Sequence, residues 1–396
     1  MSKVVVIGAG ASGIVAALTA SDNNEVTLID GNDKCGKKIL ITGNGKCNYW
    51  NENINIDNYY SSDSNKLEKI LNYKNEVLSY LESLGIYPKI KNGYYYPLSG
   101  VATSIREIFE SELKRKKIDL KHNTKVLNIK KEDNKFIIET TNEKIISDKV
   151  IIATGSKACP KTGSVGLGYD LAKYFGHTIN PVLPALVGLK TNDSVKEWSG
   201  VRTDASLSLY IDNNLVKKED GEIQLTEDGI SGICTFNLSS LVSKSLYKNK
   251  KVLMKINFMP SISDLCEFME NRNKMLSKRT IEELLESLLN YKLTTVILKK
   301  SNIKKDSYWN KLNVNEKKLL CQNISNFELP INATNSYDKA QVCTGGISLK
   351  EINDDMSSIY DSNLYFTGEI LDVDGKCGGF NLSFAFITGY IAGKSV

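Results

Sequence analysis

Histidine is almost missing from this chain of 396 residues, which holds only His122 and His177. The cysteines are Cys35, Cys47, Cys159, Cys234, Cys266, Cys321, Cys343 and Cys377, and no two are spaced Cys-x-x-Cys. Tetrahedral zinc and iron–sulfur ligation need such spacings, so no metal site is expected. Eight cysteines in so long a chain do not make a disulfide framework, and reduced thiols in a cytoplasmic protein are the expectation. Proline is scarce, at 7 residues, and the 28 glycines follow no fixed period, which excludes collagen-like and low-complexity classes. No solenoid-type repeat is found. The stretch from Val4 to Ser21 is uncharged and follows Met1-Ser2-Lys3, as in a signal peptide, but Gly8, Gly10 and Gly13 argue against that reading. No other uncharged run approaches the ~20 apolar residues of a spanning helix, so no membrane partner is expected.

What the chain does contain is enough apolar content to build cores: 41% hydrophobic against 24% charged. Disorder is excluded as the dominant state. The length suits two or three domains. A net charge of +5, from 51 basic and 46 acidic residues, permits an RNA partner without demonstrating one.

The N-terminus carries the first chemical signal. Lys3 to Ile7 is a β-branched run that fits a buried parallel strand. Gly8-Ala-Gly10-Ala-Ser12-Gly13 follows at once, then a helix-like segment from Ile14 to Ala20. Glu25 to Asp30 reads as a second strand ending in an acid. Glycines at these positions, between strand and helix and with an acid about 20 residues downstream, predict a dinucleotide site. Gly8 permits the tight turn, Gly10 lets the backbone approach a pyrophosphate, and Gly13 lets the helix pack on the strand. Ser12 is counted with these cofactor residues. The helix N-terminus offers free N–H groups to phosphate. Asp30 is placed on the ribose hydroxyls, where an acid disfavours a 2′-phosphate, so FAD or NAD is expected rather than NADP.

The next segment separates those two. Cys35 to Asn48 is a second glycine-rich loop, which an NAD domain does not need and a long flavin nucleotide does. Lys37 or Lys38 can meet phosphate charge, and Thr42, Gly43 and Asn48 can offer donors near a flavin. Lys149 to Gly155 reads as a strand ending in Ala-Thr-Gly, where Thr154 and Gly155 let the backbone come close to the cofactor. Thr124 to Lys130 and Lys135 to Thr140 read as antiparallel strands joined by the polar turn 131–134, with Val126 a candidate for backbone contact with the adenine. Near the C-terminus, Asn363 to Glu369 is a short strand, followed by a glycine-rich stretch to Asn381 and an uncharged helix from Leu382 to Gly393. This stretch resembles the C-terminal end of flavoproteins with two dinucleotide-binding folds, and that likeness implies Gly368 and Glu369 at the ribityl chain and Gly379, Asn381 and Leu382 at the ring, where a helix N-terminus stabilises an anionic reduced flavin.

These blocks together resemble the BaiN/RdsA-like flavoproteins. The likeness runs through Ile7 to Gly13, Lys38 to Asn48, Tyr96 to Ser99, Ala153 to Ser156, Pro160 to Tyr169, Gly176-His177, Gly229 to Gly232, Thr344 to Ile347 and Tyr365 to Asn381. It leaves a gap at about residues 260–330. Lys46, Leu167 and Cys343 depart from the family's usual Arg, Asp and Thr, and Cys343 is not taken as catalytic.

The resemblance implies an α/β fold: a discontinuous Rossmann-like FAD-binding domain, residues 1–188 and 337–396, with an inserted β-rich subdomain at 189–260 and a helical subdomain at 261–336. In the latter, Leu284, Leu285, Leu288 and Leu289 form one apolar face at helical spacing. Every cofactor block lies outside the insertion, so the insertion is expected to choose the substrate. The resemblance also implies non-covalent FAD, NAD(P)H as a donor that docks transiently, and reduction of an activated C=C bond. The first expectation for the substrate is uridine in large-subunit ribosomal RNA, with Lys114 to Lys117 and Lys248 to Lys251 as local basic clusters. The alternatives are a small-molecule enone such as an oxo-bile acid and a flavin-dependent binding module without catalysis. Cys47 is the candidate proton donor. The oligomeric state stays open.

Overall fold

The computed structural model describes residues 1–396, which divide into two compact units, 1–183 with 340–396 and 184–339.

The first unit is built on a five-stranded parallel sheet in the order Leu364–Phe366, Lys149–Ile152, Lys3–Ile7, Glu25–Ile29, Asp119–Lys121. Its central strands are apolar without alternation because both sheet faces are covered. The two strands flanking Lys3–Ile7 lie far apart in sequence, so the C-terminal segment completes the sheet that the N-terminus starts. The helices Ala11–Ala20 and Phe380–Ser395 are buried along almost their whole length and pack against each other. Glycine makes the approach possible: a Cβ at Gly389 would overlap the Ser12 carbonyl, and one at Gly393 would overlap Ala16 O and Thr19 Oγ1.

A separate antiparallel sheet joins Val126–Glu132, Lys135–Thr140 and Lys144–Ser147. Its turn is tighter than the sequence pattern implied. Glu132 pairs with Lys135, leaving only Asp133 and Asn134, both at positive φ (47° and 62°), as in hairpin turns whose twist matches their strands.

The second unit has a seven-stranded antiparallel sheet ordered Phe327–Ile331, Val252–Asn257, Arg202–Ile211, Asn214–Thr226, Gly229–Ser231, Leu189–Lys190, Ala333–Thr334. Trp198, Leu207, Met254, Ile297, Trp309 and Phe327 belong to its single core. The expected leucine face is not one helix. Ile281–Leu285 ends at Glu286, Ser287 takes φ 65°, and Asn290 caps a new helix, Tyr291–Lys300. Leu284 and Leu285 are fully buried, whereas Leu288 and Leu289 sit half-buried in the connection.

Candidate functional site

A cavity of about 630 Å³ lies in the first unit, lined by residues that follow the C-terminal ends of four parallel strands: Gly8, Asp30, Ala153 and Glu369 among them. That end of an open α/β sheet is where cofactors bind, and the volume is in the usual ligand-site range of about 300–1,000 Å³.

The three glycines of the first loop differ in what they face. A Cβ at Gly13 would overlap the Gly8 carbonyl, and one at Gly8 (φ 103°) would stand 2.5 Å from Ala153 O. At Gly10 a Cβ would meet nothing within 4 Å, because that position opens on the cavity. No side chain caps the helix that begins there, so its first N–H groups are free for a ligand. Ser12 also lines the cavity.

Asp30 lines the cavity with both carboxylate oxygens oriented: Oδ2 accepts from Ala9 N at 2.7 Å and Oδ1 from Asn32 N at 2.7 Å. Each oxygen keeps a further lone pair for a ribose hydroxyl. Val126, Thr154, Gly155, Thr42, Asn381 and Leu382 line the same space. Thr154 Oγ1 is buried without a partner in the protein. Asn381 contributes from its main chain, since its side-chain amide clamps both Gly375 N (2.8 Å) and Gly375 O (2.9 Å).

Lys38 and Glu369 both line the cavity but are paired with each other at 2.5 Å. Glu369 also accepts from Ser156 Oγ at 2.6 Å and Cys343 N at 3.0 Å. The acid expected at the ribityl chain thus ties together four segments of the unit, and the lysine's charge is balanced by it rather than left free for phosphate.

Gly43, Asn48, Gly368 and Gly379 shape the walls without lining the cavity. Gly368 (φ 77°) would clash with Ser12 Oγ if it bore a Cβ, and Gly379 (φ 92°) with Trp50 O. The Asn48 amide donates to Trp50 O at 3.0 Å and Tyr95 O at 3.1 Å. Cys47 requires a correction. Its thiol is fully buried, outside the cavity lining, and burial pushes it up to about 12. It packs as a small hydrophobe, which does not suit the proton-donor role expected of it. Cys343, also buried, is pushed up to about 11 by burial and the Glu369 carboxylate.

One lining segment escaped the site assignment. Pro160 to Leu167 forms a whole wall of the cavity, leading into the helix Leu167–Tyr174 through Gly166 in the left-handed region, again without a side-chain cap. Asn32 Nδ2 holds this wall through Thr162 O at 3.1 Å. Its glycines, at the start of a helix and after Ala-Thr-Gly, were the signal that could have found it.

Elsewhere in the unit, His177 Nε2 lies 2.7 Å from Ser358 Oγ, and Nδ1 lies 3.4 Å from Glu351 Oε2. The arrangement has the chemistry of a hydrolytic triad, but Ser358 is 1% exposed and no substrate can reach it. Burial lowers the His177 pKa against the opposing pull of Glu351, and the ring is a buried structural partner of Ser358. The basic clusters are partly neutralised. Arg115 pairs with Glu112, Lys116 with Asp22, and Lys250 with Asp212. No helix is long and apolar enough to cross a membrane, and no group of His, Cys, Asp and Glu is placed to hold a metal.

A parallel sheet, a glycine turn with a free helix N-terminus and an orienting acid at its second strand define a Rossmann-type dinucleotide site, and the cavity fits an FAD. The family described as HI0933-like protein Rossmann domain matches residues 2–395, and the chain belongs to it. It is 36% identical to a 3-dehydro-bile acid delta(4,6)-reductase of Clostridium scindens, over 100% of this chain and 99% of that one. It is 27% identical to a ribosomal RNA dihydrouridine synthase of Haemophilus influenzae, over 100% and 98%. Among solved structures, an open-form flavocytochrome c3 fumarate reductase superposes with a TM-score of 0.52 at 15% identity, over 100% of this chain and 78% of that one. The protein is an FAD-dependent oxidoreductase, as the resemblance read from its motifs implied.

Proposed function

We propose that the protein reduces a C=C bond conjugated with a carbonyl, and that its substrate is a uridine of large-subunit ribosomal RNA. The observation that carries the reading is full-length similarity to two kinds of reductase whose names specify such bonds, a steroid Δ4,6 system and the uracil ring of ribosomal RNA. FAD, when bound and reduced by a two-electron donor such as NAD(P)H, would supply the hydride for either. This chain's residues hold and orient it. Asp30 would accept the ribose hydroxyls, the free N–H groups after Gly10 would meet the pyrophosphate, and the N-terminus of Phe380–Ser395 would lie toward the ring. The ion pair of Lys38 with Glu369 fixes the cavity wall between them. Within the inserted unit, no cofactor motif competes for its surface, which supports its role in choosing the substrate.

A second reading, a 3-oxo steroid substrate, is favoured by the higher identity, 36%, to the bile-acid reductase. Mass spectrometry of ribosomal RNA nucleosides separates the two. A strain lacking the gene should lose dihydrouridine from its large-subunit RNA and regain it with a plasmid copy. Unchanged dihydrouridine, together with turnover of a 3-oxo-4,6-diene steroid by the purified protein, would replace the RNA reading with the steroid one.

A further inference from the structure

We infer that the hairpin of Pro88–Lys91 and Tyr94–Pro97 is a binding face for single-stranded RNA, beside the cofactor cavity and distinct from the basic clusters at Lys114 and Lys248. The inference rests on the RNA reading and adds to it a contact surface.

The strand register sets the face. Lys89 pairs with Tyr96 and Lys91 with Tyr94, and directly paired residues share one side of an antiparallel sheet. One pair further out, Leu98 N donates to Tyr87 O, which places Tyr87 and Leu98 on that side as well. The face therefore carries Tyr87, Tyr94 and Tyr96 with Lys89 and Lys91. Tyr87 is 71% exposed and Leu98 60% exposed, the two lysines are exposed, and Tyr94 and Tyr96 are half-buried.

The acids lie on the other side. Tyr95, facing away from Tyr94 and Tyr96, has its pKa raised by burial and by the carboxylates of Glu52 and Glu82. Lys89 and Lys91 have no carboxylate within 4 Å. The face is thus locally cationic. Its inner edge meets the loops that border the cavity. The Tyr94 ring lies against Gly378, the Tyr96 ring against Gly43, and Asn51 Nδ2 donates to Gly378 O at 2.8 Å. Exposed Lys46 sits on the Gly43 loop, its N–H donating to Gly43 O.

Rings that accept a base on their faces, interleaved with unpaired ammonium groups, match single-stranded nucleic acid: bases stack and phosphates meet the lysines. A neutral steroid would use the rings and leave the lysines idle. Lysines on an edge strand also discourage strand-to-strand pairing between copies, but that role does not require tyrosines on the same face.

The test uses the FAD-loaded protein and a fluorescently labelled single-stranded oligouridylate, with anisotropy read across a salt series. Lys89→Ala/Lys91→Ala should weaken binding and reduce the slope of log affinity against log salt by about 1.4, from two lost phosphate contacts at about 0.7 each. Tyr87→Leu and Tyr96→Leu should each weaken binding by about fivefold or more with no change in slope. Flavin content should stay at the parent level in all of them. If the parent binds and these variants bind with unchanged affinity and slope, the face is not the RNA site, although the RNA reading stands. The same conclusion follows if the lysine variant merely self-associates. If the parent binds no RNA at any salt, the RNA reading fails and the face falls with it.

Discussion

The helices that meet the cavity and four of the five helices of the inserted unit begin differently. Ala11–Ala20, Leu167–Tyr174 and Phe380–Ser395 start from Gly10, Gly166 and Gly379, and no side chain caps any of them. In the inserted unit, Leu265–Met275, Ile281–Leu285, Tyr291–Lys300 and Val314–Ser325 start from Asp264, Thr280, Asn290 and Asn313, each of which accepts from the first turn. A side-chain cap satisfies N–H groups that would otherwise cost stability. The cavity helices forgo it and leave those groups to a ligand. A missing cap alone is not the signature. Ala102–Arg115 lacks one at Val101, and Ile233–Tyr247 lacks one at Gly232, yet none of their residues line the cavity. The signature is a glycine start whose first turn faces the cavity.

The strongest way to break this comparison is to spoil the packing that holds two of those helices together. Gly393→Val should cost about 3 kcal/mol or more, because its Cβ would overlap a helix carbonyl rather than a yielding side chain. The check is the denaturation midpoint together with soluble yield, and an unchanged midpoint would refute the packing argument. Gly10→Val should do the opposite. Its Cβ meets nothing within 4 Å and its φ of −84° suits any residue, so the fold should survive. Bound FAD should fall by about a hundredfold in affinity, roughly 2.7 kcal/mol, because the side chain fills the space that the phosphates need. Flavin fluorescence released per chain measures this, and normal FAD content would show that the open space at Gly10 is not the phosphate site.

The contrast also shows what was legible before any coordinates. Four strands of the parallel sheet and both long buried helices followed from the spacing of glycines and β-branched runs, because those patterns are local and each has one good structural solution, whereas the edge strand Asp119–Lys121 was not foreseen and the family came from the resemblance of the motif blocks. What the chain does across distance was not legible. Lys38 meets Glu369 from 331 positions away, so nothing near either residue announced that the two charges would satisfy each other. Cys47 sits in the right loop, yet its φ of 54° and complete burial turn it inward, which a motif cannot show. The leucines at 284–289 have helical spacing, but Asn290 is a better start for the next helix than a member of the last one, and the chain breaks between them. The Pro160–Leu167 wall carried the same glycine signal as the first loop and was read only as part of a resemblance.

Asp30→Ala sharpens the cofactor side of the comparison. It removes the acceptor proposed for the ribose and also frees Ala9 N, which Asp30 Oδ2 holds at 2.7 Å. Losing hydrogen bonds to a charged group costs about 1.5–3 kcal/mol, or roughly tenfold to over a hundredfold in FAD affinity. Titration of the flavin-free protein with FAD gives the value directly. Equal affinity in the variant and the parent would mean that the ribose lies elsewhere.

The smallest effect belongs to the capped side. Asn313 Oδ1 accepts from Asn315 N at 2.9 Å and Glu316 N at 3.0 Å, and Glu316 Oε2 accepts from Asn313 N at 2.8 Å, so both halves of a capping box are present. Asn313→Ala removes the acceptor and should cost about 1 kcal/mol, while Asn313→Asp should restore most of it. Flavin content should be that of the parent in both, because the helix Val314–Ser325 contributes nothing to the cavity lining. The measurement is paired: denaturant midpoint and bound FAD on the same preparation. A midpoint shift with full flavin separates the two kinds of helix start by function. Flavin loss on the scale of Gly10→Val would show that capping in the inserted unit and cofactor binding are one cooperative property, and the division drawn from the N-termini would not hold.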